Sequence, residues 1–331
     1  MAGPRGIEPL TYGLRASAQS PNGPVRRSAL LSYGPTKRHS PIVKRVTLIF
    51  FVIKERKGYW RTTAVNELVF IGLGLYNEKD ISVRGLEELK EADTVFAEFY
   101  TSLMPVLSIE NLEKMIGKPV NVVSRRVLEE EDGKQLFEAA KKGKVAFLVQ
   151  GDPMIATTHV DLRISAEKKG IKTRVVHGAS VVSAVRGISG LQNYKFGKAV
   201  TVPFSEGGIV SETPYNVIME NKQRGLHTMC YLDIKAVEKR YLTVNEALRM
   251  LLDVEKTRRQ QVVTPETLVV GVARAGSPEP TVKAGFVEDV LNYDFGEPPH
   301  TLIFVGKLHF MEAEALTALA GAPKEVLEMA Q

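Results

Sequence analysis

The chain has a single cysteine, Cys230, in 331 residues, so no disulfide can close within it. A reducing compartment follows, and with no secretory leader in view the cytoplasm is the expected location. His159, His177, His227, His300 and His309 show no metal-ligand spacing, and one cysteine cannot build a zinc site. No metal is therefore expected. Neither a Ser-His-Asp set nor a nucleophile elbow is present, which removes the common hydrolases. No internal repeat occurs either.

What is present has globular proportions. Apolar residues make up 44% and charged residues 25%, so most of the chain should fold. Its length allows two domains of ordinary size, each with its own core. The isoelectric point of about 9.2 suggests nucleic acid, but the charge is unevenly spread. Residues 1–64 hold twelve basic side chains against Glu8 and Glu55, a net +10, leaving residues 65–331 at −4. The body is mildly acidic, so direct nucleic-acid binding is not expected of it.

The first 64 residues are rich in Pro, Gly, Ser and Arg and keep neither period 2 nor period 3.6. Their one apolar run, residues 46–53, falls far short of the roughly 20 residues of a membrane span. Such a stretch could be a basic arm that touches RNA, a disordered tail, or a segment that is not made. Gly6-Ile7-Glu8-Pro9-Leu10-Thr11-Tyr12-Gly13-Leu14 resembles peptides produced when the edge of a tRNA gene is read in the wrong frame. A GTG start at Val65 would begin the chain just before its first strand, and that reading is preferred.

From Asn66 onward, strand-like runs alternate with helical patterns. Strands are expected over 68–71, 94–99, 120–123, 145–149 and 173–176, with helices over 82–89, 108–117, 133–142 and 161–169. Ser82 and Ser108 suit helix starts, and Gly117-Lys118-Pro119 suits a stop. This order implies a parallel sheet covered on both faces. After Gly197 the texture changes. Strands are expected over 199–202, 229–232, 267–273, 281–284 and 301–305, with helices over 214–223, 243–254, 286–292 and 310–319. The link from 273 to 281 has no room for a helix, so a hairpin and a mixed sheet are predicted. Domains are expected over 65–194 and 195–331.

Three turns are candidate ligand contacts. Gly72-Leu73-Gly74-Leu75-Tyr76 follows a strand, where glycines let backbone approach a ligand. A dinucleotide fingerprint needs a third glycine where Asn77 stands, so the turn is weak support for one. Gly151-Asp152-Pro153 follows the most apolar strand at its carboxyl end, where open α/β sheets bind ligands. It is also an ordinary loop sequence. His177-Gly178-Ala179-Ser180 leads into a helix that Ser180 could cap, offering free N–H groups to an anion or an adenine. A plain cap explains it equally well.

Taken together, these strings resemble one family. Phe70-Ile71-Gly72-Leu73-Gly74-Leu75-Tyr76, Ala97-Glu98-Phe99-Tyr100-Thr101-Ser102, Gly151-Asp152-Pro153 with Ala156-Thr157-Thr158-His159, and Tyr194-Lys195-Phe196-Gly197-Lys198 are four of them. Gly225-Leu226-His227-Thr228, Leu232-Asp233-Ile234-Lys235, Ala273-Arg274-Ala275-Gly276-Ser277, Pro298-Pro299-His300 and Gly306-Lys307-Leu308-His309 complete the set. In order and spacing they resemble the archaeal and eukaryotic diphthine synthases across residues 66–323. The departures are the amino-terminal extension and Gly178, where other small residues also look acceptable.

The resemblance implies a two-domain α/β fold of the tetrapyrrole-methylase kind, with S-adenosylmethionine bound in the cleft between domains and a homodimer. It implies cofactor contacts at Leu75, Asp152, Ile155, Ser180, Val181, Leu232, Ala275 and His300. Four of these, Leu75, Asp152, Ser180 and Val181, sit on the turns singled out above. The implied reaction methylates, to the trimethyl stage, the amino group of an aminocarboxypropyl-histidine in translation elongation factor 2. A sulfonium carries its own leaving group, so no protein nucleophile is required and no catalytic residue is assigned. The strings at 194–198 and 306–309 match the protein-modifying branch. Two alternatives use the same chain differently. A corrin-precursor methyltransferase would share the cofactor cleft, and a nicotinamide-dependent oxidoreductase would use the Gly-x-Gly turn with Glu98 beyond the second strand.

Overall fold

The computed structural model describes residues 66–330, and the expectations for residues 1–65 lie outside them. The first sheet holds β1 (Glu67–Gly72), β2 (Thr94–Glu98), β3 (Val120–Val122), β4 (Lys144–Val149) and β5 (Lys172–Val176). Its order is β3-β2-β4-β1-β5, and every pairing is parallel. The connections are α1 (Val83–Glu91), α2 (Ile109–Ile116), α3 (Lys134–Ala140) and α4 (His159–Lys168).

β1 and β4 read as unbroken apolar runs because helices cover both of their faces. Leu68, Phe70, Phe147 and Val149 share a core with Leu136, Phe137 and Leu162 from α3 and α4. Their neighbours Val69, Ile71, Ala146 and Leu148 share another with Leu89 and Leu112 from α1 and α2. Ser82 caps α1 by accepting from the Gly85 N–H at 3.0 Å, and Ser108 caps α2 from Asn111 at 3.1 Å. Gly117 ends α2 at φ +74°, a left-handed turn that favours glycine.

The chain crosses to the second sheet through α5 (Val181–Ser189), whose Val185 is buried against that sheet rather than the first. The second sheet contains β6 (Val200–Val202), β7 (Thr228–Leu232), β10 (Leu268–Ala273), β11 (Thr281–Phe286) and β12 (His300–Phe304). Between β7 and β10 lies a small hairpin, β8 (Ile234–Lys235) with β9 (Arg240–Tyr241). The sheet order is β11-β10-β12-β7-β6. Only β6 and β7 pair in parallel, because α6 (Thr213–Gln223) connects them. The predicted hairpin is β10–β11. Helices α6 and α7 (Val244–Arg258) cover one face, α5 and α9 (Phe310–Leu319) the other, and α8 (Val287–Val290) follows β11.

The α/β class, with one parallel and one mixed sheet, is therefore observed. The elements not anticipated are the β8–β9 hairpin, a π-helical turn over Arg126–Glu130 and 3-10 helices over Glu78–Asp80, Asn193–Lys195, Ala236–Glu238 and Lys324–Met329. All are too short to impress a period on the sequence. Cys230 is buried in the second core, where desolvation pushes its thiol pKa up and leaves it unreactive. Among the described residues no helix is long and apolar enough to cross a membrane.

Candidate functional site

β4, β1 and β5 are neighbours, so their carboxyl ends deliver three turns side by side. The turns touch through glycine. A Cβ on Gly72 would stand 2.5 Å from both the Gly151 carbonyl oxygen and the Gly178 nitrogen, and one on Gly178 would stand 2.5 Å from that oxygen. Only bare backbone lets the three ends meet. At Gly178, the additional small residues admitted by the resemblance meet this barrier: even an alanine Cβ does not fit without movement. Gly151 donates to the Gly74 carbonyl at 2.7 Å, which locks the first turn to the second.

The Gly-x-Gly turn does aim successive N–H groups at one point, but the chain fills that point itself. Asp80 Oδ2 accepts from the N–H groups of Leu75 at 3.1 Å, Tyr76 at 2.6 Å and Asn77 at 3.4 Å. A carboxylate in the anion position leaves no place there for a pyrophosphate. Asn77, where the missing glycine would stand, accepts from Lys79 at 2.9 Å and caps a short 3-10 turn.

Asp152 is 6% exposed. Its Oδ1 accepts from the Met154 N–H at 2.9 Å, and its Oδ2 lies 2.8 Å from His177 Nδ1. The carboxylate thus shapes its own turn and ties it to the third one. Ser180 caps α5, its hydroxyl accepting from Val182 at 3.2 Å. Across from these turns stand Leu232 at the end of β7, Ala275 in the β10–β11 link and His300 at the start of β12. Gly276 comes so close to Leu75 that a Cβ would collide with it, which seals this end of the cleft. His300 Nε2 lies 3.0 Å from the Gly296 carbonyl, and its Nδ1 accepts from Val244 at 3.4 Å. Burial pulls its pKa down, so the ring is neutral and both nitrogens are engaged.

All eight residues carried over from the resemblance line one cleft of about 250 Å³, near the low end for small-molecule sites. Sequence reading missed several others on the same wall: Leu103, Gln150, Thr201 and Tyr231. Thr101, Ser102, Asp233 and Ile234 also line it; they fall inside quoted strings, where a signal existed but no role was assigned. Asp233 is held by the N–H groups of Phe204 at 3.0 Å and Ile234 at 2.9 Å. Among the described residues lining the cleft there are two carboxylates and one neutral imidazole, and no lysine or arginine. Among the described residues no group of three or more His, Cys, Asp or Glu could hold a metal ion.

Residues 67–291 match the family model of Tetrapyrrole (Corrin/Porphyrin) Methylases. The diphthine synthase of Methanosarcina mazei is 51% identical over 266 residues, covering 79% of this chain and 98% of that protein. That of Methanocella arvoryzae is 52% identical over 254 residues, covering 77% and 98%. The chain belongs to the diphthine synthases. A crystal structure of diphthine synthase superposes with a TM-score of 0.72 at 42% identity, over 80% of this chain and all of that one. As a member of this family of methylases, the chain is a methyltransferase.

Not every string that carries the resemblance serves the cleft. The strings at 194–198, 225–228 and 306–309 meet at the opposite ends of β7 and β12, around the buried Glu312. Glu312 accepts from the Gln192 N–H at 2.8 Å, the His309 N–H at 2.9 Å, His227 Nε2 at 3.0 Å and the Lys195 ammonium. Burial favours the protonated carboxyl, but these four donors outweigh it and hold Glu312 below the usual range. Gly306 donates to His227 Nδ1 at 2.9 Å, so the ring is neutral with its proton on Nε2. These strings therefore report on packing. The oxidoreductase alternative also loses its second support, because Glu98 is 0% exposed and out of reach of a ribose.

Proposed function

We propose that the cleft binds S-adenosylmethionine and that the chain methylates the amino group of an aminocarboxypropyl-histidine in translation elongation factor 2, to the trimethyl stage, yielding diphthine. The observation that carries this reading is the charge of the lining: Asp152 and Asp233 with no lysine or arginine among the lining residues, and only the His177 imidazole against Asp152. Such a wall favours a ligand of net positive charge over a pyrophosphate or a many-carboxylate tetrapyrrole. S-adenosylmethionine supplies, when bound, a methyl carbon activated by positively charged sulfur, which needs no nucleophile from the protein.

The residues present fit that cofactor. Leu75, Ile155, Val181 and Leu232 offer apolar contact, while the small Ala275 leaves room for close backbone approach. The turns at Asp152 and Ser180 offer backbone groups, since both side chains are already engaged. The chain's part is to bind, to align the substrate nitrogen and to exclude water. The diphthine synthase relatives carry the product name, and the −4 charge of residues 65–331 suits a protein substrate better than nucleic acid. A homodimer with its cleft between two domains, over 65–194 and 195–331, and a cytoplasmic location belong to the same reading.

Calorimetry should detect S-adenosylmethionine and its demethylated product, and no NAD. Labelled methyl should pass to the elongation factor bearing the aminocarboxypropyl arm and not to the unmodified factor, whose imidazole lacks the attacking amine. Equal labelling of both forms would sink the substrate assignment. Labelling of a corrin precursor alone would favour the tetrapyrrole alternative.

A further inference from the structure

Behind Thr101, on the wall of the cleft, lies a carboxyl group that the cofactor reading leaves without a role. Glu98 ends β2 and is 0% exposed. Its Oε2 accepts from the N–H groups of Tyr100 at 3.0 Å and Thr101 at 3.1 Å, and its Oε1 from the Thr101 hydroxyl at 2.5 Å. Thr101 itself lines the cleft. The two N–H bonds would suit a plain structural anchor for the turn after β2.

His159 does not fit that plain role. Its Nε2 stands 3.8 Å from Glu98 Oε1 in a ring that is 2% exposed. The other nitrogen, Nδ1, lies 3.3 Å from the Pro153 carbonyl. A carbonyl only accepts, so Nδ1 carries the proton and Nε2 is a bare lone pair. That buried lone pair has no hydrogen-bond partner and faces another acceptor. One added proton between them would satisfy both. Burial pushes the Glu98 pKa up and pulls that of His159 down to about 4, so a proton brought to the pair is held by the carboxyl rather than by the ring 3.8 Å away. Of the other groups around the pair, Glu129 adds negative charge that favours the same state, its own partner Arg125 lying 2.7 Å away on the outside, whereas the Thr101 hydroxyl and the N–H groups of Tyr100 and Thr101 favour the carboxylate. The buried Tyr100 hydroxyl has no partner. Thr158 touches the same Glu129 at 3.4 Å.

We infer that the Thr101 hydroxyl and Glu98 form the path by which the substrate ammonium gives up its proton, with His159 holding that proton on Glu98. The inference rests on the amine substrate proposed above. An N–H bond of the ammonium breaks and an O–H bond forms on Thr101, whose own proton passes to Glu98 Oε1. The nitrogen keeps the electron pair it needs for attack, and positive and negative charge disappear together. Each added methyl leaves a new ammonium, so the path is used again until no N–H remains, Glu98 returning its proton through the Thr101 hydroxyl to water in the open cleft between rounds. Thr101 would touch the substrate; Glu98 and His159 are positioning residues acting through it.

The test uses the full chain and two readouts. In single-turnover methyl transfer to the modified elongation factor, Glu98→Gln and Thr101→Val should each lower the rate at neutral pH by about 10²-fold. Their rates should recover toward alkaline pH as free amine accumulates, while Thr101→Ser keeps the parent profile and calorimetric affinity for S-adenosylmethionine changes less than about threefold. Independently of any substrate, the ¹⁵N signal of His159 Nε2 should move in one step as Glu98 takes its proton, and that step should vanish in Glu98→Gln. A Glu98→Gln enzyme with the parent rate and profile, or a His159 signal without the step, overturns the inference. A parent enzyme that shows the step yet methylates neither form of the factor overturns the substrate reading while the proton-holding pair stands.

Discussion

Replacing Gly72 with alanine tests the meeting of the three strand ends on which the cleft depends. In an accommodating strand this change stabilises by about 0.4–1 kcal/mol, because the unfolded chain loses freedom. Here the new Cβ would stand 2.5 Å from the Gly151 oxygen and the Gly178 nitrogen and 2.7 Å from the Gly178 Cα. All three are backbone atoms of neighbouring turns, so none can rotate away. Overpacking of this kind costs roughly 1–3 kcal/mol, which exceeds the entropy gain. Net destabilisation of about 1–2 kcal/mol should lower Tm by roughly 3–8 °C. Relief to ordinary contact moves the Asp152 or Ser180 turn by about 1 Å, and displacement on that scale weakens a well-formed site by up to about 10²-fold. Calorimetry on Gly72→Ala should therefore show S-adenosylmethionine bound 10- to 100-fold more weakly, on the order of that limit. Gly117→Ala is the control, since Gly117 has φ +74° and nothing within 4 Å of its Cβ position. Its left-handed strain costs about 1–2 kcal/mol far from the cleft, so Tm should fall with affinity intact. Parent affinity in Gly72→Ala would refute the claim that the three turns are positioned by mutual contact.

Asp80→Ala should free the N–H groups of Leu75 and Tyr76, lower stability by roughly 1–2 kcal/mol and weaken cofactor binding, which differential scanning and calorimetry can separate. Glu312→Ala strands His227, Lys195 and two backbone donors, so about 3–5 kcal/mol should be lost, with cofactor affinity within about twofold of the parent. A large loss of affinity there would mean that the far end of β7 and β12 is coupled to the cleft. Burial favours protonation of Glu255, but the Val263 N–H, the Tyr215 hydroxyl and the Gln261 and Val262 N–H groups outweigh it and hold its pKa at about 2. Because that folded value lies below the unfolded one near 4.5, the carboxylate stabilises fully above pH 4.5. That contribution, about 3 kcal/mol, should fade as pH falls toward 2, and denaturant titrations of parent and Tyr215→Phe across this window should show the variant losing less.

Much of this protein was legible in its sequence because the relevant forces are local. Alternation of apolar runs with capped helices is written residue by residue, so Ser82, Ser108 and Gly117 marked their helix ends before any packing was known. The missing glycine at Asn77 argued against a dinucleotide, and the β10–β11 hairpin followed from a link too short for a helix. What a conserved-looking string does could not be read the same way. Glu98 reads in sequence as an acid at a strand end, fit for a ribose; only burial turns it into a raised carboxyl facing His159. The strings around Lys195, His227 and His309 carry the resemblance as much as the cleft turns do, but β7 and β12 place them at the end away from the cleft. Asp80 attracted no notice, yet its carboxylate takes the place of an external anion. Sequence by itself determined which segments form elements and where ligand-ready turns fall, since propensity, capping and turn chemistry act over a few residues. Tertiary structure alone decided which turns meet, which acids are dry and which histidine lacks a partner, because desolvation and close approach depend on residues far apart in the chain.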